Sequence, residues 1–148
     1  MSVAWTIVEN DPVGADAVAR GLHVALRSEL PQSDIDAQIV LTIKGVDDAV
    51  IAGVVAHTPY GWLHVRMLWV DTPHRGQGLA SVLMDRAEAK GREGGCHGAW
   101  LDTSNPRAKS FYERRGYAAF GALANGPGQK PATHQRWFMK KMFDGTAS

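Results

Sequence analysis

Val70-Asp71-Thr72-Pro73-His74-Arg75-Gly76-Gln77-Gly78-Leu79-Ala80 is the stretch that decides the fold. It continues the apolar run Leu68-Trp69-Val70 and opens a strongly helical segment, so it reads as a strand end, a glycine-rich turn and a helix N-terminus. Such a turn is suited to an anionic phosphate. Gly76 and Gly78 let the backbone approach a ligand with no Cβ in the way. The first amides of the helix have no intrahelical acceptor and point outward as donors. The helix dipole adds roughly 0.3–1 kcal/mol for an exposed anion, and Arg75 places a permanent cation at the same mouth.

Three glycine-rich motifs compete for this reading. A P-loop requires a Gly-Lys-Ser/Thr ending, which the chain lacks. A Rossmann fingerprint requires a third glycine, but Gly76-Gln77-Gly78 is followed by Leu79, Ala80 and Ser81. What remains is Arg-x-x-Gly-x-Ala at Arg75, Gly78 and Ala80. This resembles the Gln/Arg-x-x-Gly-x-Gly/Ala signature of the GCN5-related N-acetyltransferases (the GNAT family). There the loop amides hold the pyrophosphate of acetyl-coenzyme A.

A second segment supports the resemblance, Leu101-Asp102-Thr103-Ser104-Asn105-Pro106-Arg107-Ala108-Lys109-Ser110-Phe111-Tyr112-Glu113-Arg114-Arg115-Gly116-Tyr117. Trp100 and Leu101 end a short strand. Asn105 is a good N-cap and Pro106 a good first helical residue. Ala108, Phe111 and Tyr112 share a helical face at spacings of three and four, and Gly116 stops the helix. The segment is similar to the family's Asn-x-x-Ala-x-x-Phe-Tyr-x-x-x-Gly-Phe/Tyr pattern. It follows the first motif at the family's distance of one helix and one strand.

Composition bounds the alternatives. The 148 residues suffice for one domain with a real core, so residues 1–148 are expected to form a single acetyltransferase domain. No apolar run approaches the roughly 18 residues that span a bilayer. Met1–Asn10 lacks the basic flank and apolar stretch of a signal peptide. The lone Cys96 permits no internal disulfide and builds no zinc site. A cytoplasmic enzyme without a metal or a membrane partner is therefore expected. Net charge is +1 but uneven. Residues 1–60 hold three Lys/Arg against eight Asp/Glu, and residues 61–148 hold thirteen against seven. Both motifs lie in the basic part, which suits a small polyanion such as coenzyme A better than a nucleic acid.

The predicted elements run in the order β-α-β-β-β-α-β-α-β-β. Trp5–Val8 reads as a first strand, residues 13–29 as a helix with Val18, Leu22, Ala25 and Leu26 near one face, and Leu30–Asp34 as loop. Strands follow at Gln38–Lys44 and Ala49–His57 around the turn Gly45–Asp48. A turn at Thr58–Gly61 leads into a strand at Trp62–Val70. Alternation there assigns Leu63, Val65, Met67 and Trp69 to the core face. A helix from Gly78 to Arg92 is expected to bury Leu79, Val82, Leu83, Arg86 and Ala87. A strand at Ala99–Leu101, the helix Pro106–Arg115, and strands at Tyr117–Leu123 and Arg136–Met142 complete the chain, with a mobile loop at Asn125–Pro131. The resemblance implies an α/β (α+β) acyl-coenzyme A N-acyltransferase fold, a mixed, mostly antiparallel sheet of about seven strands with flanking helices.

It also implies transfer of acetyl from acetyl-coenzyme A to a primary amine of a small molecule or protein, by direct attack in a ternary complex. The pantetheine arm would lie between two splayed strands, bonded by main-chain groups of Leu68, Trp69 and Val70. The phosphates would lie on Arg75, Gly76, Gln77, Gly78, Leu79 and Ala80, and Asn105, Ala108, Phe111 and Tyr112 would line the other wall. Tyr112 is the candidate acid beside the sulfur. For the base, several family members use a glutamate on the strand that holds Arg66 here; this strand has no carboxylate. His64 and His134 are the substitutes, since imidazole titrates near operating pH. The tail Thr133-His134-Gln135-Arg136-Trp137-Phe138-Met139-Lys140 resembles a segment of one subgroup of small members and favours His134. Asp102 and Thr103 either bind a ligand or cap the following helix.

Two other functions fit the same motifs. A non-catalytic acyl-coenzyme A sensor would keep the coenzyme loop, and a nucleotide-binding protein would prefer ATP or NAD. The acidic first part suits a cationic acceptor such as a polyamine or aminoglycoside. A homodimer through edge strands is expected from the fold resemblance.

Overall fold

A computed structural model describes residues 4–29 and 36–144, which fall into two compact units divided between residues 34 and 35. The first unit contains one helix, α1 (Pro12–Glu29). Asp11 starts it. Its carboxylate accepts from the Gly14 amide at 2.9 Å, and Pro12 supplies a first-turn φ without needing a donor. Trp5–Val8 forms no strand, so the first predicted strand is corrected. Its four residues carry the β-favouring side chains, but propensity alone, without a pairing edge, does not make a strand. The loop expected at Leu30–Asp34 lies outside the described residues.

The second unit holds a six-stranded sheet, one strand fewer than expected. Its strands are β1 (Gln38–Lys44), β2 (Val50–His57), β3 (Trp62–Val70), β4 (Gly98–Thr103), β5 (Ala118–Ala124) and β6 (Gln135–Met142), in the order β1-β2-β3-β4-β6-β5. Every neighbour pair is antiparallel except β3–β4. That pair is joined by α2 (Leu79–Glu93), the crossover a parallel pair requires. A short α3 (Pro106–Arg114) leads from β4 to β5.

The core lies under α2. Leu63, Met84, Leu101, Met139 and Val54 are its largest fully buried side chains, each worth about 1.5–3 kcal/mol in removed apolar surface. Gly91 lets α2 sit close to the sheet, because a Cβ there would lie 3.3 Å from the Leu63 Cβ.

Two predicted faces are corrected. In β3, Val55 of β2 faces Met67 while the next residue, Ala56, faces Val65, so Arg66 is an extra residue in the ladder. This bulge shifts the side-chain alternation by one. Leu63 and Val65 are buried before it, Leu68 and Val70 pack on the core after it, and Met67 and Trp69 are exposed. In α2 the buried residues are Leu83, Met84, Ala87, Glu88 and Gly91, while Val82 and Arg86 are exposed.

Glu88 is the charged residue whose burial the sequence reading missed. It is 3% exposed. Its carboxylate accepts from the Tyr117 hydroxyl at 2.9 Å and from Lys141 Nζ at 2.7 Å, and it lies 3.4 Å from Arg115 Nη2. These bonds tie α2 to the end of α3 and to β6. Burial, with the Glu88 charge beside it, pushes the Tyr117 phenol far above its ordinary value. Removing the carboxylate would leave Lys141 without its ion partner and Arg115 with the exposed Asp85, 2.8 Å away. Glu88→Ala is expected to cost about 3 kcal/mol, the low end of the range for a broken buried pair because Arg115 and Lys141 keep some solvent. The midpoint of urea unfolding measures this.

Candidate functional site: a cleft between two parting strands

β3 and β4 pair only through Trp62–Gly98, Leu63–Ala99 and His64–Trp100. Beyond His64, β3 runs on to Val70 beside β2, and β4 runs on to Thr103 beside β6. The two strands therefore part like a V. The bulge at Arg66, two residues past the last pair, bends β3 at the point of parting. Loops after parallel strands at such an opening are where α/β sheets bind ligands. Alternate main-chain groups on the open edge of β3 face the gap instead of a strand.

A cavity of about 500 Å³ lies at the opening. Leu68 and Val70 of β3 form one wall, and Ala108, Phe111 and Tyr112 of α3 the other. Arg75, Gly76, Gly78, Leu79 and Ala80 close the end. The loop geometry follows from its residues. Asp71 caps the single turn Thr72–His74, accepting from the Thr72 amide at 3.0 Å. Arg75 Nε donates to the Val70 carbonyl at 2.9 Å, fastening the loop to the strand. Gly76 and Gly78 then take φ of +78° and +80°, where an L side chain is strained. A Cβ on either would meet nothing within 4 Å. Gly78 is the N-cap of α2 and offers no side-chain acceptor, so the first-turn amides are left for a ligand.

The structure brings ten of the predicted coenzyme residues together around this cavity. Three do not line it. Trp69 turns to the opposite face because of the bulge, and it stands opposite Gly53 of β2. Gln77 is exposed on the loop. Asn105 spends its carboxamide on its cap role, accepting from the Arg107 amide at 2.9 Å. Three lining residues were not predicted, His74, Ser81 and Arg107. Position alone could have found the last two, since each sits in the first turn of a helix that opens on the cavity. With Arg75, Arg107 gives the anion-binding end two permanent cations.

Tyr112 is 7% exposed. Its ring packs edge-on against Phe111 and Tyr117, with centroids 5.2 and 5.7 Å away. Burial pushes its phenol up to about 12, so the hydroxyl stays protonated at physiological pH. His134 stands elsewhere. Its Nε2 is 3.2 Å from Ser104 Oγ, just past β4, and it does not line the cavity. Asp102 pairs with Arg136, whose Nε donates at 2.7 Å, and Thr103 Oγ1 accepts from the Asn105 amide at 3.1 Å. The cap of α3 is Asn105, and Thr103 holds the amide of that cap residue.

The second face of the sheet carries chemistry the sequence reading only touched. His64 stacks flat on Trp100, with centroids 3.8 Å apart and planes within 2°. His57 Nε2 lies 3.0 Å from His64 Nδ1, and Asp36 Oδ1 lies 3.2 Å from His57 Nδ1. Beside them a second cavity of about 500 Å³ is lined by Trp62, Trp100, Phe120, Phe138 and Lys140. Gly98 makes room for it: a Cβ there would lie 2.6 Å from Trp62 Cζ3.

The family model described as the acetyltransferase (GNAT) family matches residues 19–117. The chain belongs to the GNAT family. It is 46% identical over 83 residues to an acetyltransferase of Agrobacterium fabrum, and 45% identical over 76 residues to the blasticidin-S acetyltransferase of Streptomyces morookaense. These matches cover 56% and 51% of this chain, and 61% and 56% of those proteins' lengths. The fold agrees with a crystal structure from Agrobacterium tumefaciens described as an acetyltransferase. That structure is 34% identical, has a TM-score of 0.81, and is covered over 97% of this chain and all 100% of its own. A Bacillus cereus acetyltransferase structure, 23% identical with a TM-score of 0.81, has the same fold. The family match covers both the loop at Arg75–Ala80 and the parting of β3 and β4.

Glutamate at position 78 would put a strained backbone and a negative charge where phosphate is to sit. Isothermal titration of acetyl-coenzyme A is expected to give micromolar binding for the wild type and none for Gly78→Glu. The variant's unfolding curve checks that it remains folded.

Proposed function

We propose that this GNAT chain is an acetyl-coenzyme A-dependent N-acetyltransferase, with residues 1–148 acting as one catalytic domain and a small-molecule primary amine as acceptor. The observation that carries the reading is the cavity that joins the Gly76/Gly78 anion site to the protonated Tyr112 hydroxyl across the parting of β3 and β4. The blasticidin-S acetyltransferase relative and the aromatic second cavity support a small, flat-ringed acceptor over a protein tail. A cytoplasmic location suits the single buried thiol of Cys96, which needs no oxidising compartment. A homodimer is proposed through β5. It is one of the two outer strands, and its seven residues, Phe120 and Leu123 among them, are all exposed.

The residues divide the work as follows. First-turn amides of α2, with Arg75 and Arg107, hold the phosphates. Open main-chain amides of Leu68 and Val70 hold the arm and polarise the carbonyl oxygen, donors placed where charge develops. The amine nitrogen attacks the carbonyl carbon; the carbon–nitrogen bond forms and the carbon–sulfur bond breaks. Tyr112 donates a hydrogen bond to the departing sulfur. At about 12 its phenol is a weaker acid than a thiol, whose reference value is about 8.5. It therefore stabilises the thiolate by hydrogen bonding more than by full proton transfer. The ammonium proton of the acceptor goes to an imidazole, for which the chain offers His134 and His64.

A sensor without turnover would bind acetyl-coenzyme A but release no thiol. The test is release of free coenzyme A, followed with a thiol reagent, over a panel of blasticidin S, spermidine, tryptamine and an α-blocked lysine. At least one amine is expected to be acetylated. Tyr112→Phe is expected to lower kcat about 100-fold with acetyl-coenzyme A affinity nearly unchanged, the low end of the range for a positioned proton donor. Binding without turnover of any amine would identify a sensor instead.

A further inference from the structure

We propose that His64 is the group that takes the acceptor's proton, and that His57 and Asp36 fix its tautomer and pass its charge outward. The inference rests on the acetyltransferase reading and goes on to name the base.

Position comes first. His64 is the last residue of β3 paired to β4, through Trp100. It therefore sits at the root of the gap where the thioester would lie. Leu63 and Val65 on either side of it are buried in the core, so His64 projects from the other face of the sheet, away from Tyr112. An amine approaching from that face meets His64 on one side of the gap, and the leaving sulfur meets Tyr112 on the other. The aromatic cavity is lined by Trp100, the ring on which His64 stacks, so the cavity lies one ring away from the imidazole.

Tautomer comes next. The Asp36 carboxylate is acceptor-only when ionised, and it also accepts from the Thr58 amide at 3.1 Å. His57 Nδ1, 3.2 Å away, must then carry its hydrogen. A neutral His57 therefore presents a lone pair at Nε2, so the hydrogen in its 3.0 Å contact with His64 belongs to His64 Nδ1. The basic lone pair of His64 is thereby left at Nε2. When Nε2 takes a proton, the Nδ1 proton can pass to His57, whose cation lies against Asp36. One proton leaves the ammonium, one charge moves to the outer pair, and solvent receives it there.

The charge environment keeps His64 neutral and ready. Burial is the main cause that lowers its proton affinity, and the neighbouring His57 and Arg66 act in the same direction, opposed by Asp102 on β4. Arg66 is on its own strand, His57 on β2, and Asp36 reaches it only through His57. A histidine lowered in this way is unprotonated at neutral pH. Activity that needs it neutral rises as pH rises through its value, which lies below the ordinary 6.5. His134 has no such arrangement: its Nε2 faces a serine hydroxyl.

Two measurements test this. In the resting protein, nitrogen NMR of labelled histidine at neutral pH should show His64 protonated at Nδ1 and bare at Nε2, with Asp36→Asn disturbing that preference. The opposite tautomer in wild type would overturn the assignment whether or not any amine turns over. In turnover with the fastest amine of the panel, wild-type kcat should show an acidic limb below the ordinary imidazole range. His64→Gln should lose that limb, fall about 100-fold at pH 7, regain rate as pH rises toward the amine's own value, and bind acetyl-coenzyme A as before. Asp36→Asn should move the limb to lower pH. A His64→Gln profile matching wild type, with the limb lost in His134→Gln instead, would overturn the proposal and leave the acetyltransferase reading standing. Absence of acetyl-coenzyme A binding in wild type would instead overturn that reading.

Discussion

The parting of β3 from β4 after His64 and Trp100 is the constraint on which the site depends. Parallel strands joined by a helix can pair along their whole length, and here they stop after three pairs. The extra residue at Arg66 explains why. A bulge bends the strand that carries it and increases its twist, so β3 continues beside β2 while β4 continues beside β6. The phase change it imposes also sorts the side chains. Leu68 and Val70 turn toward the cavity, while Trp69 turns to the opposite face. An unbulged β3 would present Met67 and Trp69 to the core and keep the gap closed. One inserted residue thus makes both the slot and its lining.

A slot needs its second wall held still, and the Glu88 network serves that purpose. α3 has only nine residues, too few to be stable alone in water. Its anchor is at its far end. Arg115 and Tyr117 reach the Glu88 carboxylate on α2, and Lys141 of β6 closes the network. Tyr117 then packs edge-on against Tyr112. Tyr112 is thus positioned by a chain of contacts that runs through the core to α2, the helix that the glycine-rich turn opens. A hydrophobic residue at position 88 could fill the same space but could not orient three partners, two from the turn after α3 and one from β6. A buried charge costs desolvation, and this one fixes where α3 ends.

How much of this was legible in the sequence follows from the range of each signal. The glycine-rich turn and α3 read well because they are local: Gly76, Gly78, Asn105, Pro106 and Gly116 each act on their own backbone. Strand β3 was located to the residue, yet half its alternation was assigned to the wrong face. The bulge is a property of pairing with β2, and no single strand reports it. Glu88 was missed because a glutamate on a helix normally faces solvent, and its partners lie 27 to 53 positions away. Trp5–Val8 failed as a strand for the converse reason: its composition is right but no neighbour pairs with it. The Asp36–His57–His64 chain was invisible except for His64 itself, since it needs the registers of β1, β2 and β3 together.

Burial acts oppositely on the two groups that flank the gap, and that opposition gives the site its direction. A buried phenol resists losing its proton, and a buried imidazole resists gaining one, because each environment disfavours charge. At neutral pH Tyr112 is therefore a donor and His64 an acceptor, with no pre-existing ion at either place. In the reaction proposed above, charge appears only as the amine attacks, when a cation forms at His64 and an anion at the departing sulfur. The cation is stabilised through His57 and Asp36, and the anion by the Tyr112 hydroxyl. The desolvation that disfavours each charge beforehand also strengthens the interactions that meet it once formed. The same sheet, opened at one bulge, keeps the two groups on opposite faces, so the proton taken at His64 leaves on the side away from the Tyr112 hydroxyl.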